Sequence, residues 1–153
     1  MALANTAFLL EGANKLVYGH GIVQINDAFE FIKKSINNLP TKSLAPFFSN
    51  DPNQKGILHF QNDNNNSLST NYTVNIDSAF DKKWIFKHVP VDKNFILHYE
   101  TTTDNSFKVK IATNLLEEGT INYAEINGFD SLNHLIGPPF YLPVTVICLA
   151  NPN

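Results

Sequence analysis

Ile57-Leu58-His59-Phe60-Gln61 and, 39 positions on, Ile96-Leu97-His98-Tyr99-Glu100 decide how this chain is read. Each is followed by a polar turn and a matching tail, Asn66-Ser67-Leu68 in the first passage and Asn105-Ser106-Phe107 in the second. Period-two alternation runs through both, and successive side chains of a strand point to opposite faces. The pattern predicts Leu58 and Phe60 on one face, with Ile57, His59 and Gln61 on the other. Leu68, Tyr72, Val74 and Ile76 then oppose Asn71, Thr73 and Asn75. In the second passage Leu97 and Tyr99 oppose His98 and Glu100, while Phe107, Val109 and Ile111 oppose Lys108 and Lys110. One apolar and one polar face is the pattern of antiparallel strands that cover a core on one side and meet water on the other. The two passages read as copies of one long hairpin. Without a third copy, a trefoil is the minor alternative.

Further strands are expected outward from this stretch. Ala7 to Leu10 and Leu16 to Tyr18 flank a Gly-Ala-Asn turn and read as a first hairpin. Trp84 to Val89, Thr120 to Ile126 and Phe140 to Leu149 complete the set. Trp84 alternates with Phe86, which places it in the core. Phe140 to Leu149 is apolar on both faces apart from Thr145, so it should be central and covered on both sides. Pro143 removes a ladder donor and is expected at a bulge or strand start. One helix is signalled over residues 27–38. Asp27 and Glu30 form a D-x-x-E variant of the capping box, and Phe29, Ile32 and Ile36 recur at helical spacing. That stripe should lie on a sheet or plug a barrel end. The fold expected is mainly β, an antiparallel sandwich or flattened barrel of about eight strands with one short helix. An α+β fold is the second choice. Residues 1–153 are read as a single domain.

Composition narrows the function. The chain has 153 residues, 43% apolar and 16% charged, with a net charge of −3, and every one of its 11 basic residues is lysine. Without arginine it lacks the planar fork that suits phosphates and guanine edges, so nucleic acid is not expected as a partner. The longest nearly unbroken apolar run, Phe140 to Ala150, is too short for a transmembrane helix. The single cysteine, Cys148, excludes a disulfide framework and reads as a small buried hydrophobe. Met1 to Leu10 has no basic region before its apolar stretch and does not read as a secretory signal. A cytoplasmic location is the default, with leaderless export or a removed leader left open. The 21 asparagines suit turns and caps and carry no functional inference.

Several groups could carry chemistry. His98 and Glu100, two apart on a strand, could form an oriented general base and are the candidate catalytic pair. His59 and His98 could converge but fall short of a metal site, so no metal or cofactor is expected. Glu117 and Glu118 read as a solvated turn, and Gly19-His20-Gly21 as a turn with a free histidine. Phe47-Phe48 and Phe140-Tyr141 are aromatic pairs read as lids on the core. The polar hairpin loops and the adjoining strand face offer the best binding argument. Asn62, Asp63, Asn64, Asn71, Thr73, Thr101, Thr103 and Asp104 supply amides, hydroxyls and carboxylates suited to a glycan or small polar ligand. Three readings follow. The first is a non-enzymatic, lectin-like, carbohydrate-binding module. The second is a self-assembling structural subunit, and a homo-oligomer is expected. The third is a small enzyme built on His98 and Glu100, although the balance leans against an enzyme.

Overall fold

The computed structural model describes residues 1–37, 44–51, 53–61, 69–76, 83–90, 94–103, 105–132 and 136–150. Three short helices come first: α1 (Ala2–Thr6), α2 (Lys15–Tyr18) and α3 (Ile25–Ser35). Eight strands follow: β1 (Pro46–Phe47), β2 (Ile57–Gln61), β3 (Ser69–Ile76), β4 (Trp84–Val89), β5 (Ile96–Thr103), β6 (Ser106–Ala112), β7 (Ile121–Asp130) and β8 (Phe140–Cys148). They form two four-stranded sheets. Sheet I has the order β1-β3-β6-β5, and sheet II the order β2-β8-β7-β4. All neighbours are antiparallel except β2 and β8, which run parallel. No described helix is long and apolar enough to cross a membrane.

The expected two-sheet architecture is therefore present, and its core lies between the sheets. Val74 and Ile76 of β3 and Phe107, Val109 and Ile111 of β6 are buried from sheet I. Ala124 and Ile126 of β7 and Phe140, Leu142, Val144 and Val146 of β8 are buried from sheet II. The ring of Phe86 on β4 stacks on that of Phe107 on β6 at 4.2 Å between centroids, joining one sheet to the other. Trp84 meets Phe140 edge-on at 5.1 Å, a geometry that aligns a ring's positive edge with its neighbour's negative face. Phe48 and Phe140 are buried and Phe47 and Tyr141 half-buried, so the aromatic pairs do pack as lids, and Cys148 is buried as expected.

The central strand behaves as its composition demands. Even-numbered residues of β8 point into the core, and odd-numbered ones point to the outer face, where the N-terminal layer reaches Tyr141. Cys148 N–H donates to the Thr120 carbonyl at 2.9 Å, so even-numbered amides of β8 point to β7 and odd-numbered ones toward β2. The missing donor of Pro143 thus faces the β2 side, and β2 pairs only from Ile57 opposite Val144. Pro143 sits inside the strand, opposite Glu125, with neither bulge nor strand start needed.

Several expectations are corrected. The first hairpin is absent. Residues 15–18 are helical because Asn14 caps them, its side chain accepting from Leu16 N–H at 2.9 Å. Only a lone bridge, Phe8 to Ile22, remains of β pairing there. The hairpin repeat holds for β5 and β6 alone. β2 joins β8 in sheet II while β3 joins β6 in sheet I, so the first copy is split between sheets. The faces of β2 are also reversed: Ile57 is buried, while Leu58 and Phe60 are exposed. In β5 a register shift between Ile96 and His98 puts Ile96 and Tyr99 on the inner side and exposes Leu97. Finally, α3 forms, but its N-cap is Gln24 and Asp27 lies in the first turn, so Asp27 complements the helix dipole without capping it. Its Phe29, Ile32 and Ile36 stripe points to solvent rather than onto a sheet.

Gly128 faces Phe140 across β7 and β8, and the phenyl ring occupies the place of a side chain. A Cβ on Gly128 would come within 2.2 Å of ring carbon Cζ. Gly128→Ala should therefore displace a buried ring and cost about 1 to 3 kcal/mol, the usual penalty of overpacking. Urea unfolding measures it, and an unshifted midpoint would show that the ring is free to move.

Candidate functional site

Polar side chains gather on the outer face of sheet II, where alternation would otherwise leave β7 and β8 bare. Tyr123, Glu125 and Asn127 of β7 stand outward, opposite Thr145, Pro143 and Tyr141 of β8. The N-terminal segment lies over them and contributes Asn5 from α1, Lys15 from α2 and His20 from the turn after α2. Lys15 Nζ donates to Glu125 Oε1 at 2.6 Å, with side chains 17% and 5% exposed. Tyr123 Oη donates to the second Glu125 oxygen, Oε2, at 3.3 Å. Lys15 Nζ also lies 5.6 Å from the centre of the Tyr141 ring, a cation–π distance. Tyr141 Oη donates to Asn5 Oδ1, and Asn5 Nδ2 donates to the Ile136 carbonyl at 3.0 Å. His20 packs edge-on against Tyr141 at 4.7 Å.

This cluster is a latch. A carboxylate 110 residues away in sequence holds the lysine that begins α2, and two phenols seal the pair. Its chemistry is spent internally. Burial, then the charge of and hydrogen bond to Glu125, push the Tyr123 phenol up to about 12. Tyr141 is raised further by burial and by the charge of Glu125, so neither phenol ionises near neutrality. His20 is lowered by burial and by Lys15 and the N-terminal amine, against an opposing effect of Glu125. Asn127 Oδ1 is buried without a hydrogen-bond partner. A cleft of about 260 Å³ opens beside the latch, lined in part by Lys15, Tyr123, Val89 and Pro90.

Two further polar contacts clasp the sandwich at its open edges. His59 Nδ1 of β2 meets Tyr72 Oη of β3 at 2.6 Å. His88 Nδ1 of β4 meets Tyr99 Oη of β5. In each, a histidine from sheet II faces a tyrosine from sheet I. Burial lowers His59 and raises Tyr72, so both neutral forms are favoured across this contact. Tyr99 is pushed up to about 12 by burial, partly offset by a hydrogen bond from the His88 backbone.

The residues singled out from sequence lie elsewhere. His98 and Glu100 are exposed on the outer face of sheet I, opposite Lys110 and Lys108. His59 faces inward to Tyr72, so the two histidines do not converge. Asn71, Thr73 and Thr101 are exposed on strands of sheet I. Asn62, Asp63, Asn64 and Asp104 lie outside the described residues, as does the side chain of Thr103. Among the described residues no three of His, Cys, Asp and Glu come together as a metal site. Glu117 and Glu118 lie on an exposed turn, as expected. His20 sits in the expected turn, with Gly19 and Gly21 at positive φ, but it is packed on Tyr141 rather than free. The latch has no motif in the sequence. Its one sequence signal was an isolated glutamate, Glu125, within an otherwise strand-like run.

Removing Lys15 should strand a nearly buried carboxylate. Lys15→Ala is expected to cost about 3 to 5 kcal/mol, and Lys15→Met with Glu125→Gln much less. Urea unfolding reads both, and a single variant as stable as the parent would show the pair to be idle. The histidines give a second expectation. Both are lowered from the ordinary 6.5, so below that pH the unfolded chain binds more protons. Stability should fall as pH drops from 6.5 through the lowered values, and His20→Gln with His59→Gln should flatten that slope. An unchanged profile would exclude both groups.

No family model matches this chain. Two curated relatives do, both called tripeptidyl-peptidase 2. The one from Caenorhabditis elegans is 26% identical over 167 aligned positions, covering 96% of this chain and 12% of its own length. The one from Oryza sativa subsp. japonica is 28% identical over 166 positions, covering 95% of this chain and 12% of its own length. The chain thus spans about one eighth of the relatives it matches. A crystal structure of tripeptidyl peptidase 2 superposes with a TM-score of 0.76 at 21% identity, over 96% of this chain and 13% of that one. It supports the sheet-rich fold. These likenesses overturn the lectin-like, carbohydrate-binding expectation. The structure supplies a physical reason. Asn71 and Thr73 stand on a sheet face opposite Lys110 and Lys108, whereas Thr101 pairs with Phe107 of the other face, so the described residues proposed to hold sugar do not share one face.

Proposed function

We propose that residues 1–153 form one non-catalytic β-sandwich domain of a tripeptidyl-peptidase 2-like enzyme. The supporting observation is the match of nearly the whole chain to one eighth of two such proteins, from a nematode and a plant. A likeness that covers 96% of this chain but 12% of the relative is what a module within a larger polypeptide gives. The internal chemistry is compatible with a supporting role. The latch neutralises its own charges, the phenols stay protonated, and burial raises the Cys148 thiol away from thiolate reactivity. In this reading the domain's work is mechanical. Two sheets make a stiff block, and the latch fixes a helical layer on one side of it. Catalysis belongs to sequence outside these residues.

The test is to tag the native polypeptide that carries this sequence, isolate it from its own cells, and follow peptide cleavage by mass spectrometry. Release of tripeptides is expected. A purified, folded polypeptide that releases none would overturn the proposal.

A further inference from the structure

The helical layer that precedes the sheets is held to the sandwich chiefly by polar side chains. Of its residues, 1–37, only Ala28 and Ser35 are buried, and both belong to α3, which packs on α1. None of the layer enters the buried cluster between the sheets, whose members run from Leu44 to Cys148. Among the described residues the layer's backbone hydrogen bonds close within it, the Phe8 to Ile22 bridge included. The polar and ring contacts that cross to the sandwich come from three side chains. Asn5 joins Tyr141 Oη to the Ile136 carbonyl, Lys15 pairs with Glu125, and His20 rests its ring on Tyr141. A segment with few buried apolar groups and its own backbone bonds opens at a lower free energy than the whole domain.

We infer that residues 1–37 undock from the sandwich as a unit while the sheets stay folded, and that a proton taken up by His20 is the trigger. The acceptors of the latch are already engaged: Glu125 Oε1 by Lys15, Oε2 by Tyr123, Asn5 Oδ1 by Tyr141 and the Ile136 carbonyl by Asn5. A second N–H on the His20 ring has to compete for them. Its charge would join those of Lys15 on α2 and the N-terminal amine before α1, against the single carboxylate of Glu125 on β7. Tyr141 on β8 faces the ring as a neutral phenol. Burial first, and then Lys15, make the docked ring harder to protonate than a free one. Undocking restores the ordinary 6.5, so docking is strongest above that pH and weakens as pH falls through the lowered value. His59 sits apart, at the sheet margin with Tyr72, so its protonation acts on the sandwich and not on the layer.

Hydrogen exchange of the native polypeptide that carries this sequence, read by mass spectrometry, separates the layer from the sheets. Each peptide's rate is divided by its unstructured rate at the same pH. Between about pH 7.5 and about pH 5.5, protection across α3 should fall several-fold, within the roughly tenfold per pH unit that one proton allows. β6 and β8 should keep theirs. His20→Phe leaves a ring to pack on Tyr141 but takes up no proton, and His20→Gln removes both. In each variant the protection of the layer should no longer respond to pH. A layer with no pH response in the parent, a loss shared equally by layer and sheets, or a response that survives both substitutions would each overturn the inference.

Discussion

Everything in this fold depends on Phe107 being sandwiched between two sheets. Its ring stacks on Phe86 from sheet II at 4.2 Å and lies near Phe140 at 6.2 Å. Burial of such rings is the main favourable term in a chain of this size, and aromatic pairs add a further ~0.5 to 1.5 kcal/mol each. The seam also sets where polar groups can go. With the space between the sheets filled by Phe, Val, Ile and Leu, histidines and tyrosines on inner faces are pushed to the margins. There His59 with Tyr72, and His88 with Tyr99, close the edges by pairing sheet to sheet. A buried polar group is tolerated when it is hydrogen-bonded, and these four satisfy one another.

Legibility from sequence followed how local the governing contact is. β6 was read correctly down to each face, because Phe107, Val109 and Ile111 alternate with two lysines and leave one solution. β8 was read as central because it is apolar on both sides. β2 was read with its faces reversed, because both of its faces carry large apolar groups. Ile57 is buried and Leu58 and Phe60 are not, and the partner strand β8, more than 80 residues away, decides between them. Leu97 departs from its expected face for a different reason. A bulge shifts the period by one residue, and composition does not announce it. The hairpin repeat failed at β2 because two similar strand sequences can join different sheets. Local likeness specifies a strand, while pairing is a property of the whole.

The latch was illegible for the same physical reason in its strongest form. Lys15 and Glu125 are ordinary residues at surface-like positions, one after a short turn and one on a strand. Only their convergence across 110 positions turns them into a buried ion pair. Such a pair gains little net free energy over an apolar substitute, since desolvation offsets attraction. Its value is directional. The charge pair has one good geometry, with Tyr123 and Tyr141 as its walls, whereas apolar side chains would let the N-terminal layer slide over β7 and β8. A defined seat for the layer matters more than an extra increment of stability.

The seat in turn gives the α3 orientation its meaning. A helix free to roll would bury Phe29 and Ile32, since apolar surface left in water costs about 25 cal/mol per Å². It does not roll, because Ala28 and Ser35 let it approach closely on the other side, and α1 beneath it is tied through Asn5 to Tyr141 and the Ile136 carbonyl. The domain thus spends part of its stability on holding an apolar face outward. The polarity of the two outer faces follows from this. Sheet I turns lysines, asparagines and threonines to water, whereas the helical layer over sheet II turns isoleucines outward.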